Sequence, residues 1–215
     1  MNRRTLPMIG AMLAVLAAIG LAALVAWHQL AGGSGGARNA AETVVAPGVA
    51  IGGDFTLTDQ DGKIVTEADF KGGYSLFYFG YTFCPDVCPT ELSTVARALD
   101  LVAEKDPAVA EQVTPVFVTV DPKRDSQALM KDYVQAFHPR MVGLRGDEAA
   151  TADVAAKFRV YYAVGEDLGD GFYLVNHSSY LYLMGPNGEL KSLIRGGASA
   201  ENVAEVLTRV VTTGS

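Results

Sequence analysis

Tyr74-Ser-Leu-Phe-Tyr-Phe-Gly80 is a short aromatic and aliphatic run, the pattern of a strand buried in the middle of a sheet. Tyr81-Thr-Phe-Cys84-Pro-Asp-Val-Cys88-Pro-Thr-Glu-Leu92 follows without a break. From Cys88 to about Lys105, Leu92, Val95, Ala96, Leu99 and Val102 recur at close to helical spacing. Pro89 suits a first helical turn, where a missing N–H costs least. Both cysteines therefore sit where a buried strand ends and a helix begins. A helix N-terminus stabilises nearby negative charge and so favours a thiolate there.

Outward from this unit the chain alternates strand and helix. Phe55–Leu57 and Lys63–Val65 flank Gln60-Asp61-Gly62, a turn signal, and predict an opening hairpin. Val113–Val120 reads as a second buried strand despite Pro115. A helix is expected from about Ser126 to Phe137, a short strand near Val142–Leu144, and a helix from about Glu148 to Phe158 behind Asp147 as cap. Tyr180–Met184 and Leu190–Ile194 bracket Gly185-Pro186-Asn187-Gly188, a hairpin signal, and Ser199 opens a last helix to about Val211. This order predicts an α/β sandwich around a mixed sheet.

The 215 residues suit one domain with an appendage, and 49% hydrophobic residues rule out disorder throughout. The mean hydropathy of +0.19 is high for a wholly soluble chain and points to one greasy segment. Residues 6–27 carry no ionisable side chain and, as a helix, would reach about 33 Å, enough to cross a hydrocarbon core. Arg3 and Arg4 precede this run, and no basic residue follows until Arg38, so the positive-inside rule keeps residues 1–5 in the cytoplasm. A cleaved signal peptide is the rival reading, but the run is long, and Trp27, His28 and Gln29 stand where small residues are wanted. Five residues before the span leave no room for a transit peptide, and the expected location is a bacterial inner membrane with the domain in the periplasm. Residues 28–45, with the small and polar stretch 31–41, read as a flexible linker, 46–211 as the folded domain and 212–215 as a tail. With 17 Lys+Arg against 24 Asp+Glu, the net charge of −7 argues against nucleic-acid binding. Beyond Arg3 and Arg4 there remain 15 basic against 24 acidic side chains, a net −9, so the domain is not expected to cling to anionic lipid.

Two cysteines are too few for an iron–sulfur cluster, a zinc ribbon or a disulfide-rich scaffold. A disulfide closing so small a loop would restrain the unfolded chain by only about 2 kcal/mol. The spacing is neither the Cys-x-x-Cys of thioredoxin-type motifs nor the Cys-x-x-Cys-His of haem attachment. Two soft thiolates suit Cu(I), and an added imidazole makes Cu(II) acceptable. The candidates for that imidazole are His28 at the membrane edge, His138 before Pro139 at a helix end, and His177 in Leu174-Val-Asn-His177-Ser-Ser-Tyr180, just before a sheet strand. Position alone leaves His177 open between ligand and ordinary loop histidine.

Thr82-Phe-Cys84-Pro-Asp-Val-Cys88-Pro-Thr90, Val120-Asp121-Pro-Lys-Arg124-Asp125 and Val175-Asn-His177-Ser178, in that order, resemble the Sco/SenC family of copper proteins over roughly residues 46–211. Members of that family are membrane-anchored, thioredoxin-like domains serving cytochrome c oxidase assembly. The resemblance implies copper bound by Cys84, Cys88 and His177. It implies delivery to the copper-bearing subunit of a terminal oxidase, with a copper donor chaperone and a periplasmic thiol reductant as further partners. The family often carries Asp before the histidine, whereas this chain has Asn176, which puts less negative charge beside a Cu(II) site. Asp121 reads either as an outer hydrogen-bond acceptor behind the ligands or as a strand-ending turn, Arg124 as a turn residue, and Asp125 or Ser126 as the cap of the next helix. Phe77, Tyr78 and Phe79 read as core. A metallochaperone is the leading expectation and a thiol–disulfide reductant that keeps the oxidase's copper-site cysteines reduced is the alternative. A peroxiredoxin-type peroxidase and a docking domain with incidental cysteines stand behind both.

Overall fold

A computed structural model of the chain describes residues 20–21, 41–43, 45–46, 48–169 and 171–214. The chain divides into two units, Met1–Arg38 and Asn39–Ser215. In the first, only Gly20 and Leu21 are described, and both are helical. The expected membrane span thus lies almost wholly outside the described residues, among which no helix is long and apolar enough to cross a membrane.

The second unit is built on β4 (Tyr74–Gly80), all seven of whose residues are buried. Its two apolar faces require cover on both sides, and it finds β5 (Val113–Thr119) beside it in parallel and β9 (Tyr180–Met184) antiparallel. On the β5 side follow β6 (Val142–Arg145), then β2 (Thr56–Asp59) and β3 (Ile64–Thr66). On the β9 side follow β10 (Leu190–Arg195) and β1 (Glu42–Thr43). The eight strands form one mixed sheet, parallel from β4 to β6 and antiparallel toward both edges. Pro115 is accommodated where β6 has not yet joined, since that pairing begins at Val116.

Helix α1 (Val87–Lys105) buries Cys88, Leu92, Val95, Leu99 and Val102 along one stripe and packs against α5 (Ala200–Thr213). Between them in sequence come α2 (Pro107–Glu111), α3 (Gln127–Phe137) and α4 (Glu148–Lys157). The expected caps are present: Ser126 accepts from the Leu129 N–H, Asp147 from Ala150 and Ser199 from Asn202. Helix α5 ends at Gly214, whose φ of 73° is the left-handed geometry glycine tolerates at a helix C-terminus. This is the mixed-sheet α/β, thioredoxin-like architecture expected from the order of elements and the resemblance.

Three features depart from the sequence reading. Glu42 and Thr43, within the stretch read as linker, pair with β10, and the Glu42 carboxylate accepts from Ser192 Oγ and Arg209 Nη2, both at 2.6 Å. The one-turn helix Glu67–Phe70 and helix α2 are too short to show periodicity. A separate two-stranded ribbon of β7 (Tyr162–Val164) and β8 (Val175–His177) also forms, and its three-residue strands are too short to alternate legibly.

Candidate metal centre

Strand β4 ends at Gly80, and the next residues turn tightly, the Cys84 N–H bonding the Tyr81 carbonyl at 3.3 Å. Helix α1 begins after Asp86, whose side chain makes no capping bond. Cys84 caps instead: its Sγ accepts the Cys88 N–H at 3.4 Å. One of the N–H groups that a helix start leaves unpaired is thus spent on sulfur, which is better satisfied by a thiolate than a thiol.

Cys88 is fully buried in the first turn of α1, its sulfur lying over Gly80. A Cβ at residue 80 would meet Cys88 Sγ at 2.9 Å, Phe117 Cε2 at 3.0 Å and Tyr78 Cε1 at 3.2 Å. Glycine is needed there for space, so that the buried thiol can reach the strand end.

His177 closes strand β8. Its Nε2 stands 3.3 Å from Cys88 Sγ, and its Nδ1 is 3.0 Å from the Ser178 carbonyl oxygen. The carbonyl can only accept, so Nδ1 carries the proton and Nε2 presents a lone pair toward the sulfurs, the tautomer a metal ligand requires. The ring lies edge to face with Tyr78 and Tyr81, centroids 6.1 and 6.0 Å away. Tyr78 is thus both core, as expected, and a wall of this site.

The ligand atoms of Cys84, Cys88 and His177 all lie within 4.8 Å of one another. Donors at ordinary N and S bond lengths around one ion sit roughly 3.5–4 Å apart, so small side-chain rotations close the set. Two sulfurs and one imidazole nitrogen form a soft donor set that fits copper. Among the described residues this is the one such group of His, Cys, Asp and Glu side chains. His138 lies elsewhere, its Nδ1 accepting the Arg140 N–H at the end of α3.

The two thiols are free and strongly unequal. The Cys88 thiol, hydrogen-bonding to Cys84, holds the latter far below the ordinary thiol range, with help from the Asp86 and Cys88 N–H groups against the opposing effect of burial. The same bond to Cys84, then burial, pushes Cys88 far up. Cys84 is therefore the thiolate and Cys88 the proton holder. In the reduced, metal-free protein, alkylation of Cys84 should proceed at a rate flat from pH 5 to 8, because the thiolate is present at every pH above its lowered value. An unperturbed thiol would lose about tenfold in rate per unit below its pKa near 8.5. Mass spectrometry of iodoacetamide-treated protein reads this directly, and a tenfold-per-unit climb toward pH 8.5 would refute the assignment.

Asp121 hydrogen-bonds none of the three. Its Oδ1 accepts from Tyr173 Oη at 2.8 Å, its Oδ2 pairs with Arg124 Nε, and its N–H donates to Thr119 Oγ1 at 2.9 Å.

Arg124 is more than a turn residue, and the cap falls to Ser126, which leaves Asp125 another role. Asp125 is fully buried and accepts from the Thr82 N–H at 3.1 Å, from Thr82 Oγ1 at 2.6 Å and from Thr119 Oγ1, tying the cysteine loop to the end of β5. The sequence holds a trace of this in the coexistence of Thr82 and Asp125 beside two motif ends, but their pairing spans 43 positions.

The chain matches the SCO1/SenC family model over residues 45–212. It is 38% identical over 198 residues to the bovine mitochondrial SCO2 homolog, covering 92% of this chain and 74% of that one. The copper-bound crystal structure of Arabidopsis thaliana ScoI superposes with a TM-score of 0.71 at 38% identity, covering 76% of this chain and 99% of that one. BsSco, described as a cytochrome c oxidase assembly protein of the Sco family with a disulfide switch, superposes with a TM-score of 0.57 at 25% identity, over 79% of this chain and 98% of that one. The extent of the match, the sheet and the Cys-Cys-His group agree, and the chain belongs to the SCO1/SenC family.

Proposed function

We propose that this protein carries copper for the assembly of a cytochrome c oxidase, holding the ion through Cys84, Cys88 and His177. The convergence of two sulfurs and Nε2 within 4.8 Å carries the reading. Copper is the cargo here, and the asymmetry of the site suits its transfer. Cys84 is half-exposed and already a thiolate, so it is the ligand a partner can reach, while Cys88 and His177 hold from below. Binding releases the Cys88 proton. The acceptor is the copper-bearing subunit of the oxidase, and a copper donor chaperone loads this protein in turn. The apolar run at residues 6–27 supports a single-pass anchor in a bacterial inner membrane with this domain in the periplasm, which keeps the site near a membrane-embedded client.

The same thiol asymmetry supports a second reading, reduction of the client's disulfide. The Cys84 thiolate attacks one client sulfur and expels the other as thiolate. Cys88, passing its proton to the first client thiolate, then attacks Cys84 Sγ and releases the second client sulfur as a thiolate, which takes its proton from water. Two electrons pass to the client, a Cys84–Cys88 disulfide is left, and a periplasmic thiol reductant restores the pair.

His177→Ala separates the two roles. It should weaken Cu(II) binding by about 100-fold or more in a competition titration, since one of three donors is gone, while disulfide exchange by the reduced domain continues. Cells carrying the variant should lose oxidase copper if delivery is the role. Normal oxidase assembly with this variant, together with loss in Cys84→Ala, would favour the reductase instead.

A further inference from the structure

The ribbon β7–β8 that carries His177 is not part of the main sheet. Its hold on the domain therefore depends on side chains. Tyr173 and Val175 are buried while Leu174 and Asn176 are exposed, so the alternation of an extended chain turns residues 173, 175 and 177 inward together. Holding Tyr173 therefore helps to hold the strand on which His177 stands.

Arg124 is what meets Tyr173. Its guanidinium carbon lies 3.5 Å from the Tyr173 ring centroid, stacked on that face, and Nη1 donates to the Tyr173 carbonyl at 2.8 Å. Nε pairs with Asp121, which accepts the Tyr173 hydroxyl on its other oxygen, closing a three-residue ring. The guanidinium carbon also lies 5.0 Å from the Phe83 ring centroid and 5.6 Å from that of Tyr81, both in the cysteine loop. One planar cation thus bridges the loop after β5, the loop bearing Cys84 and the segment that leads into the strand bearing His177, with its side chain only 13% exposed. None of these contacts involves a metal ligand directly.

We propose that Arg124 is the positioning residue of the centre, clamping Tyr173 so that strand β8 holds His177 Nε2 against the two sulfurs. This rests on the reading of Cys84, Cys88 and His177 as the copper ligands. Planarity matters as much as charge. Lysine would keep the pair with Asp121 but could not lie flat on Tyr173 while donating to its carbonyl.

The test uses Arg124→Ala, Arg124→Lys and Tyr173→Leu in the reduced protein. Cu(II) affinity should fall by about tenfold in Arg124→Ala, the lower end of what an outer partner of a ligand contributes, and nearly as far in Arg124→Lys. The double variant Arg124→Ala/Tyr173→Leu should be no weaker than the worse single one, because both remove one device. In a His177→Ala background the Arg124 substitutions should have no further effect on affinity. In metal-free protein, hydrogen exchange should quicken at the ribbon amides 162–164 and 175–177 and stay unchanged in β4 and β5. Should Arg124→Ala not fold, Arg124→Lys carries the same readouts. Wild-type exchange and affinity in a folded Arg124 variant would overturn the proposal, and so would an affinity loss that persists without His177. Should the wild-type protein bind no copper, the reading of the ligands fails, while the exchange measurement still decides whether Arg124 holds the ribbon.

Discussion

Cys88→Ser should lower copper affinity by about a thousandfold while leaving a folded domain. Structural zinc sites in zinc-finger peptides gain about 10–16 kcal/mol, and on that scale one of three donors stands for roughly 3–5 kcal/mol. Serine replaces the sulfur with a hard oxygen that stays protonated near neutral pH, and a soft ion gains little from it. The hydroxyl is slightly smaller than the thiol and faces His177 Nε2, which lay 3.3 Å from the sulfur and can accept its hydrogen bond. Stability should therefore fall by only about 1 kcal/mol. Competition against a chromophoric Cu(I) chelator reads the affinity, and thermal unfolding reads the fold. An affinity within tenfold of wild type, in a folded variant, would remove Cys88 from the ligand set.

Asp125→Ala should be the most damaging change outside the ligands. Three donors converge on this buried carboxylate: the Thr82 N–H, Thr82 Oγ1 and Thr119 Oγ1. Burial pushes its pKa up and the threonine hydrogen bonds pull it down, so deletion relieves a desolvation cost but strands the donors. Each stranded donor costs about 1–3 kcal/mol, and the relief offsets part of it, leaving a net loss of about 3 kcal/mol. For a domain of this size that lowers the melting midpoint by roughly 6–12 °C. Because Thr82 stands two residues before Cys84, the loop should also loosen, and metal-free Cys84 should alkylate faster than in the wild type. A midpoint shift below about 2 °C would show that the carboxylate does not hold the loop.

The strand–loop–helix unit from Tyr74 to Lys105 was legible because its signals are local. Seven apolar residues in a row demand cover on both faces, and a 3.6-residue stripe after Cys88 demands a partner helix. The caps at Ser126, Asp147 and Ser199 were legible for the same reason, each serving an N–H three residues on. The ribbon was not. Tyr162–Val164 and Val175–His177 are joined by a connection containing Gly165, Gly169 and Gly171, and neither strand is long enough to show a period of two. His177 could therefore be identified as a candidate by its chemistry but not placed by its surroundings.

Residue types and spacing alone determined that two thiols would meet a helix N-terminus beside a central strand, since each step involves neighbours within a few positions. The tertiary structure decided which thiol is ionised, because that depends on Cys84 taking the place of a helix cap and on Cys88 lying under it over Gly80. It decided too that Arg124 and Asp125 lock the loops around the centre, and that His177 arrives 89 positions after Cys88 with the right nitrogen forward. Hydrogen bonds and ring stacks are short-range in space but indifferent to distance along the chain. A pairing across 43 or 89 positions leaves no periodic trace, and it exists only once the sheet has brought its ends together.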